Sequence, residues 1–242
     1  MRRGALLTLA ALLLASAAFA LPAYDNGGSN TATSGSSISV TWTINDGTNG
    51  LVTAIVADGN NVAVSGCTCA GNAMTAGPSQ TTRANMRTYM YYYLGQAAGS
   101  TTVTCTYSSS VTEGTLIVHS YTGVKQTGQP DASTGSNNST SSTATYTTSI
   151  TTVANNALIV AGQTVNEDWG SVPAQAPLTS RYSTIGGGSF GTNASSGDYV
   201  LATAGSQAVG FTVIGFEAYE QVVASFAPAV AATDTGDFFE AA

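Results

Sequence analysis

The sequence predicts an all-β protein, a two-sheet antiparallel β-sandwich of jelly-roll type built from two similar halves. Three observations carry that prediction. After Leu21 the chain falls into short alternating or apolar runs separated by Gly, Asn, Asp and Ser, with no amphipathic run of period 3.6. Charged residues make up only 8% of the chain, against about 25% in an ordinary soluble domain, so solubility rests on the Thr and Ser that suit the exposed face of a pleated sheet. The chain also repeats itself. Ala98-Gly99-Ser100 opens one strand-like run and Ala204-Gly205-Ser206 another, and Leu51-Val52-Thr53-Ala54-Ile55-Val56 is matched by Leu158-Ile159-Val160-Ala161-Gly162, at a near-constant offset of 106 to 107. A solenoid unit would return every 20 to 50 residues or so, so this period is half of a domain.

Taken in order, residues 1–20 have the pattern of an export signal: Arg2 and Arg3, an apolar stretch over 5–17, and the small-x-small Ala18-Phe19-Ala20. The apolar stretch is shorter than the roughly 20 residues that span a bilayer, which predicts cleavage near Leu21, secretion to the extracellular space or cell surface, and no membrane span in the mature chain. Residues 21–35 carry little apolar content and read as an extended N-terminal segment. A single sandwich domain is expected over 36–230. Its first half, 36–125, has candidate strands at 37–44, 51–57, 62–69, 86–94, 100–107 and 114–122. Its second half, 144–230, has them at 144–152, 157–165, 178–184, 197–203, 207–214 and 218–226. Asn45-Asp46-Gly47 and Ala154-Asn155-Asn156 supply turn residues at equivalent places. The connection 126–143 is too polar to pack and reads as a mobile linker. Residues 231–242 form an acidic tail.

Formal net charge is -7 for the whole chain. Loss of residues 1–20 leaves four basic against thirteen acidic residues, -9, and such a chain cannot neutralise a run of phosphates, so nucleic acid is excluded as a partner. Three cysteines in an exported chain admit one disulfide and one thiol. Cys67 and Cys69 share one face of a probable strand, and Cys105 shares its face with Val103 and Tyr107; a bridge from Cys105 to Cys67 or Cys69 and three buried thiols both remain open. A C-x-C pair with one remote Cys and one His lacks the spacing of a zinc site, so no metal site is assigned.

The succession Val64-Ser65-Gly66-Cys67-Thr68-Cys69-Ala70-Gly71-Asn72-Ala73-Met74-Thr75, then Tyr91-Tyr92-Tyr93-Leu94, then Tyr121-Thr122-Gly123-Val124-Lys125-Gln126-Thr127-Gly128-Gln129-Pro130-Asp131 resembles a β-sandwich family of secreted bacterial surface proteins and phage virion-associated proteins. The resemblance covers residues 36–228 and implies a sandwich fold. The family has no established catalytic residues, so it implies none here.

The residues themselves point the same way. His119 is the only histidine, which removes most triad and metal schemes, and its strand position reads as a satisfied structural histidine. Asp25, Asp46, Asp58, Glu113, Asp131 and Asp198 are read mostly in turns, and neither Glu167 with Asp168 nor Glu217 with Glu220 shares a strand face as a glycosidase pair would. Catalytic residues are therefore not assigned, and the chain is expected not to be an enzyme, with a glycoside hydrolase as a distant third reading. The tyrosines 89, 91, 92 and 93 make both faces of their run apolar, as in a strand buried on both sides, and Trp42 reads as core. Trp169 stands past a strand beside Glu167 and Asp168. An exposed indole flanked by acids suits a sugar ring, and a lid folded over the sandwich end is its structural alternative. No cofactor is required. Calcium is a candidate through Asp131 or the Glu167-Asp168 pair, although no D-x-D-x-D-G loop is present. The expected function is an exported, non-catalytic surface or adhesion module with a glycan or other cell-surface ligand as its candidate partner. The alternative is a self-assembling structural subunit of an extracellular or virion assembly.

Overall fold

Repetition at the level of sequence becomes repetition of a whole strand plan. The computed structural model describes residues 19–81, 86–138, 144–166, 172–185, 192–213 and 218–230. A short strand β1 (Phe19–Ala20) precedes β2 (Ala23–Ala32), β3 (Gly35–Ile44), β4 (Leu51–Asp58), β5 (Val64–Cys69), β6 (Asn72–Ala73), β7 (Thr75–Thr81), β8 (Arg87–Leu94), β9 (Gly99–Val111) and β10 (Gly114–Thr122). The second half comprises β11 (Ala132–Asn138), β12 (Ala144–Thr151), β13 (Ala157–Asn166), β14 (Ala174–Gln175), β15 (Thr179–Ile185), β16 (Thr192–Leu201), β17 (Ser206–Val213) and β18 (Tyr219–Phe226), and β19 (Ala229–Val230) closes back onto β1.

Strand order shows the duplication directly. The first half pairs β2-β10-β4-β8-β7 in one sheet and β3-β9-β5-β6 in the other; the second pairs β11-β18-β13-β16-β15 and β12-β17-β14. Leu51 lies between Tyr121 and Leu94, and Leu158 between Phe226 and Val200. Thr43 faces Ser100 as Thr151 faces Ser206. Asn49 and Asn156 enter β4 and β13 with positive φ, 49° and 57°, a conformation that asparagine tolerates.

The all-β antiparallel sandwich class is as the sequence predicts, but each half closes its own pair of sheets rather than contributing to one shared pair. Ile38, Val40, Val56, Val103 and Leu116 fill the first sandwich, and Ile150, Ile159, Val209, Phe211 and Val223 the second. A third core joins them: Leu51, Ile55, Met90 and Ile117 pack against Leu158, Val160, Val222 and Phe226. The molecule is thus four sheets deep, with the five-stranded sheets inside. That depth explains why β4 and β18 are buried at every residue, since an inner strand meets a core on each face. Tyr91 points into the first sandwich while Met90 and Tyr92 point across the junction, so both faces of that strand are apolar as predicted.

Besides the two-residue strands β1, β6, β14 and β19, three longer strands depart from the sequence reading. Residues 132–138, read as part of a mobile linker, form β11, and residues 23–32 of the extended segment form β2. Both are polar edge strands, held by backbone ladders to β18 and β10 rather than by their own apolar content. β7 was not anticipated either, because Pro78 interrupts it; the proline falls in a register shift between Ala76 and Ser79, where no ladder donor is required.

Candidate functional site

Trp169, Glu167 and Asp168 lie outside the described residues. The strand ends that carry their loop are in place: Asn166 donates its N–H to Ala218, and Val172 is buried. Cys67 and Cys105 stand opposite one another on β5 and β9 and are joined by a disulfide with Cα atoms 4.0 Å apart. Cys69 is a buried thiol whose Sγ lies 3.5 Å from Gln96 Oε1 and 3.8 Å from Thr101 Oγ1. Burial pushes its pKa up, so it stays protonated.

A buried polar cluster lies at the junction of the two sandwiches. His119 of β10 is fully buried, with Nε2 2.9 Å from Ser196 Oγ and Nδ1 3.3 Å from Thr53 Oγ1. Desolvation, and then the nearby Arg181 guanidinium, lower its pKa to about 3. Beside it the Tyr121 hydroxyl donates to Asp198 Oδ2 at 3.1 Å, and Arg181 holds the same carboxylate in a fork, Nε to Oδ2 at 2.6 Å and Nη2 to Oδ1 at 2.8 Å. The guanidinium also lies 4.0 Å over the Tyr24 ring. A serine beside a histidine invites a nucleophilic reading, but Ser196 and His119 are both sealed between sheets and the second ring nitrogen faces a threonine instead of a carboxylate. The cluster ties β10 of the first half to β16 of the second across the junction. His119 is thus the satisfied strand histidine that its position predicts, and Trp42 is core, its Nε1 3.4 Å from Ser120 Oγ.

Two carboxylates have a duplicated role that the sequence reading missed. Asp25 accepts the N–H groups of Asn45 and Asp46 at 3.0 and 3.2 Å and the hydroxyl of Ser120 at 2.8 Å. Asp131 accepts the N–H groups of Val153 and Ala154 at 2.7 and 3.3 Å and the hydroxyl of Ser225 at 3.4 Å. Each ties its edge segment to the first hairpin of its half. Because Asp25 and Asp131 are 106 apart, the repeat offset was the signal that could have found them. Asp131, a calcium candidate, is occupied by this clamp, and among the described residues no three His, Cys, Asp or Glu side chains converge.

On the outer sheet of the first sandwich, Ser37, Ser39, Thr41 and Thr43 of β3 stand opposite Thr106, Thr104, Thr102 and Ser100 of β9. The Ser39–Thr104 and Thr41–Thr102 hydroxyl pairs are each 2.8 Å apart. Adjacent strands lie about 4.8 Å apart and same-face residues about 6.7 Å, so these eight hydroxyls make a regular, uncharged face. At one end of the molecule a groove of about 360 Å³ is lined by Lys125, Ala154, Asn155, Asn156, Ala227, Pro228 and Val230. The exposed Val230 lines this groove, exposed Val153 precedes its Ala154, and exposed Leu21 follows Ala20, which pairs with Ala229.

No family model matches the chain, and no curated protein or solved structure matches it.

Proposed function

We propose that this chain is an exported, non-catalytic surface or adhesion module that binds carbohydrate. The observation that carries the reading is the uncharged hydroxyl face of β3 and β9, whose donors and acceptors suit hydroxyl-rich neutral ligands. Carboxylates supply further support: Asp25, Asp131 and Asp198 are each engaged by backbone or side-chain donors, so none is placed as a free general acid or base. The export pattern of residues 1–20 and the resemblance to secreted surface and virion-associated sandwiches agree with it. Glycan-array binding by the secreted chain tests the reading; an array on which no glycan binds overturns it. The loop carrying Trp169, Glu167 and Asp168 is the sequence-derived contact, and Trp169→Ala is expected to abolish binding there without unfolding the domain.

A second reading, a self-assembling structural subunit, is favoured by the apolar end formed by Leu21, Val153 and Val230. Sedimentation separates the two: a monomer at micromolar concentration supports the module, and large homogeneous particles support the subunit.

A further inference from the structure

Asn-Gly occurs twice in the sequence, at Asn26-Gly27 and Asn49-Gly50, and the fold treats the two pairs differently. Asparagine is chemically labile before glycine, because the glycine nitrogen has no neighbouring Cβ to keep it from the asparagine side-chain carbonyl. Asn26 lies in β2, where its Nδ2 donates to Thr43 O at 2.7 Å and Gly27 stands in the ladder opposite His119. An added Cβ on Gly27 would come within 2.4 Å of Val118 O, so this stretch of backbone is packed against its neighbour. Asn49 lies in the turn before β4 and is exposed. Its side chain has no hydrogen-bond partner among the described residues. The Gly50 N–H donates to Gly47 O at 3.1 Å, within the turn itself.

The second half supplies the comparison. Asn156 stands where Asn49 does, enters its strand with a similar positive φ, 57° against 49°, and is followed by Ala157. The alanine methyl crowds the nitrogen and restricts the backbone rotation that would bring it to the side chain. Glycine is required at position 50, since a Cβ there would lie 2.7 Å from Gln96 O. Packing therefore commits the first half to the reactive pair. The same turn also carries a structural duty: Thr48 O accepts the Gly123 N–H at 3.1 Å, and Asn49 O accepts that of Val124 at 3.0 Å. Residues 123–125 in turn hold the last strand, through Ala229 N–H to Gly123 O at 2.7 Å and Lys125 N–H to Ala227 O at 2.9 Å.

We propose that Asn49 is a self-modification site, converted in the folded protein to aspartate and isoaspartate, while Asn26 and Asn156 persist. The Gly50 nitrogen gives up its proton and attacks Asn49 Cγ, forming a C–N bond; the Cγ–Nδ2 bond breaks and ammonia leaves, closing a succinimide ring. Water then opens the ring. Addition at Cγ gives aspartate, and addition at the α-carbonyl gives isoaspartate, whose main chain runs through the former side-chain carbonyl and is longer by a carbon. Water is the only co-reactant, and nothing is oxidised or reduced. Either product adds a carboxylate to the turn, and isoaspartate displaces the carbonyl that accepts from Val124. The effect reaches the core between the sandwiches, where Val124 is buried, and the strand that residues 123–125 hold. The site is independent of the carbohydrate reading.

The test incubates the full chain in mildly alkaline buffer, once folded and once unfolded in urea. Peptide mapping follows the mass change of an amide converted to a carboxylic acid at Asn26, Asn49 and Asn156, and isoaspartyl methyltransferase labelling identifies isoaspartate. In the folded chain Asn49 is expected to convert at least roughly tenfold faster than Asn26, which must open locally before it reacts. In urea the two are expected to convert at similar rates, with Asn156 behind both. Amide hydrogen exchange at Gly123 and Val124 is expected to be faster in aged than in fresh protein. Ala157→Gly is expected to bring Asn156 into reaction; if that variant does not fold, the wild-type rates decide alone. Asn49 converting no faster than Asn26 in the folded chain overturns the site. An Asn156 that stays inert in the folded variant overturns the role assigned to the glycine, and conversion of Asn49 with unchanged exchange at Gly123 and Val124 overturns the structural consequence.

Discussion

The two sandwiches share a strand plan and differ in what fills it. In the first, Cys105 of β9 is bonded to Cys67 of β5, and Val56 and Leu116 of the inner sheet face the core. In the second, Phe211 stands at the place of Cys105 opposite Ala174, and the equivalent inner-sheet residues are the buried Gln163 and Gln221, the Gln163 amide having no hydrogen-bond partner among the described residues. A phenyl ring fills the volume that the disulfide occupies in the other half, so the backbone tolerates either solution. An orphaned buried amide costs about 1–3 kcal/mol, and the second half retains it where the first does not. The difference separates a half built for closure from a half whose interior is organised around polar groups. Their junction is also unequal: Ile55 of β4 projects toward Gly162 of β13, the residue at the equivalent position, where an added Cβ would come within 2.6 Å of the isoleucine.

The largest test of the contrast is the staple. A loop of 38 residues closed by a disulfide gives about 4 kcal/mol on the chain-entropy model. Cys105→Ala is expected to lower the stability of the first sandwich by that order and leave the second protected, so that amide hydrogen exchange speeds up in β5 and β9 and not in β17. Uniform acceleration in both halves would show that they unfold as one unit.

Next comes the junction. Ile55→Ala removes the knob that fills the space over Gly162 and is expected to cost about 3 kcal/mol by urea denaturation. A loss below about 1 kcal/mol would show that the two sandwiches contribute little to one another.

Acid should act on the same junction through His119, whose equivalent in the second half is Ala224. Its folded pKa of about 3 lies below the unfolded value of 6.5. Between those values the unfolded chain binds the extra proton, so this residue's contribution to stability is complete above pH 6.5 and falls as pH drops toward 3, by about 2 kcal/mol at pH 5. Denaturation midpoints at pH 7 and pH 5, in wild type and His119→Gln, read this contribution; equal pH dependence in both would remove it.

The smallest effect tests the likeness instead of the difference. Asp25→Asn and Asp131→Asn each weaken a clamp on two backbone N–H groups, at an expected cost of about 1 kcal/mol. Losses that differ between the two by more than a factor of three would mean that the clamps are not equivalent.

Much of this was legible beforehand, for a physical reason that differs by element. Strands such as β4, β10 and β13 announce themselves because their apolar side chains make their own stability, and the cysteines' shared face follows from the two-residue period of any strand. The edge strands β2, β7 and β11 were hidden because their order comes from backbone bonds to a neighbour, to which side-chain composition is nearly blind. His119 was assigned correctly from its face, whereas Arg181 and Asp198 were missed because the partners that make them important lie in the other half of the chain.

By itself the sequence determined the β class, the period of the duplication, and which strand faces are apolar, since each depends on local spacing and chemistry. Only the tertiary structure decided that the halves close separately and stack four sheets deep, that Cys105 takes Cys67 and leaves Cys69 as a thiol, and that Gln163 is sealed without a partner. Those outcomes depend on register between strands remote in sequence, and a one-residue slip in any ladder would turn the same side chains to the opposite face.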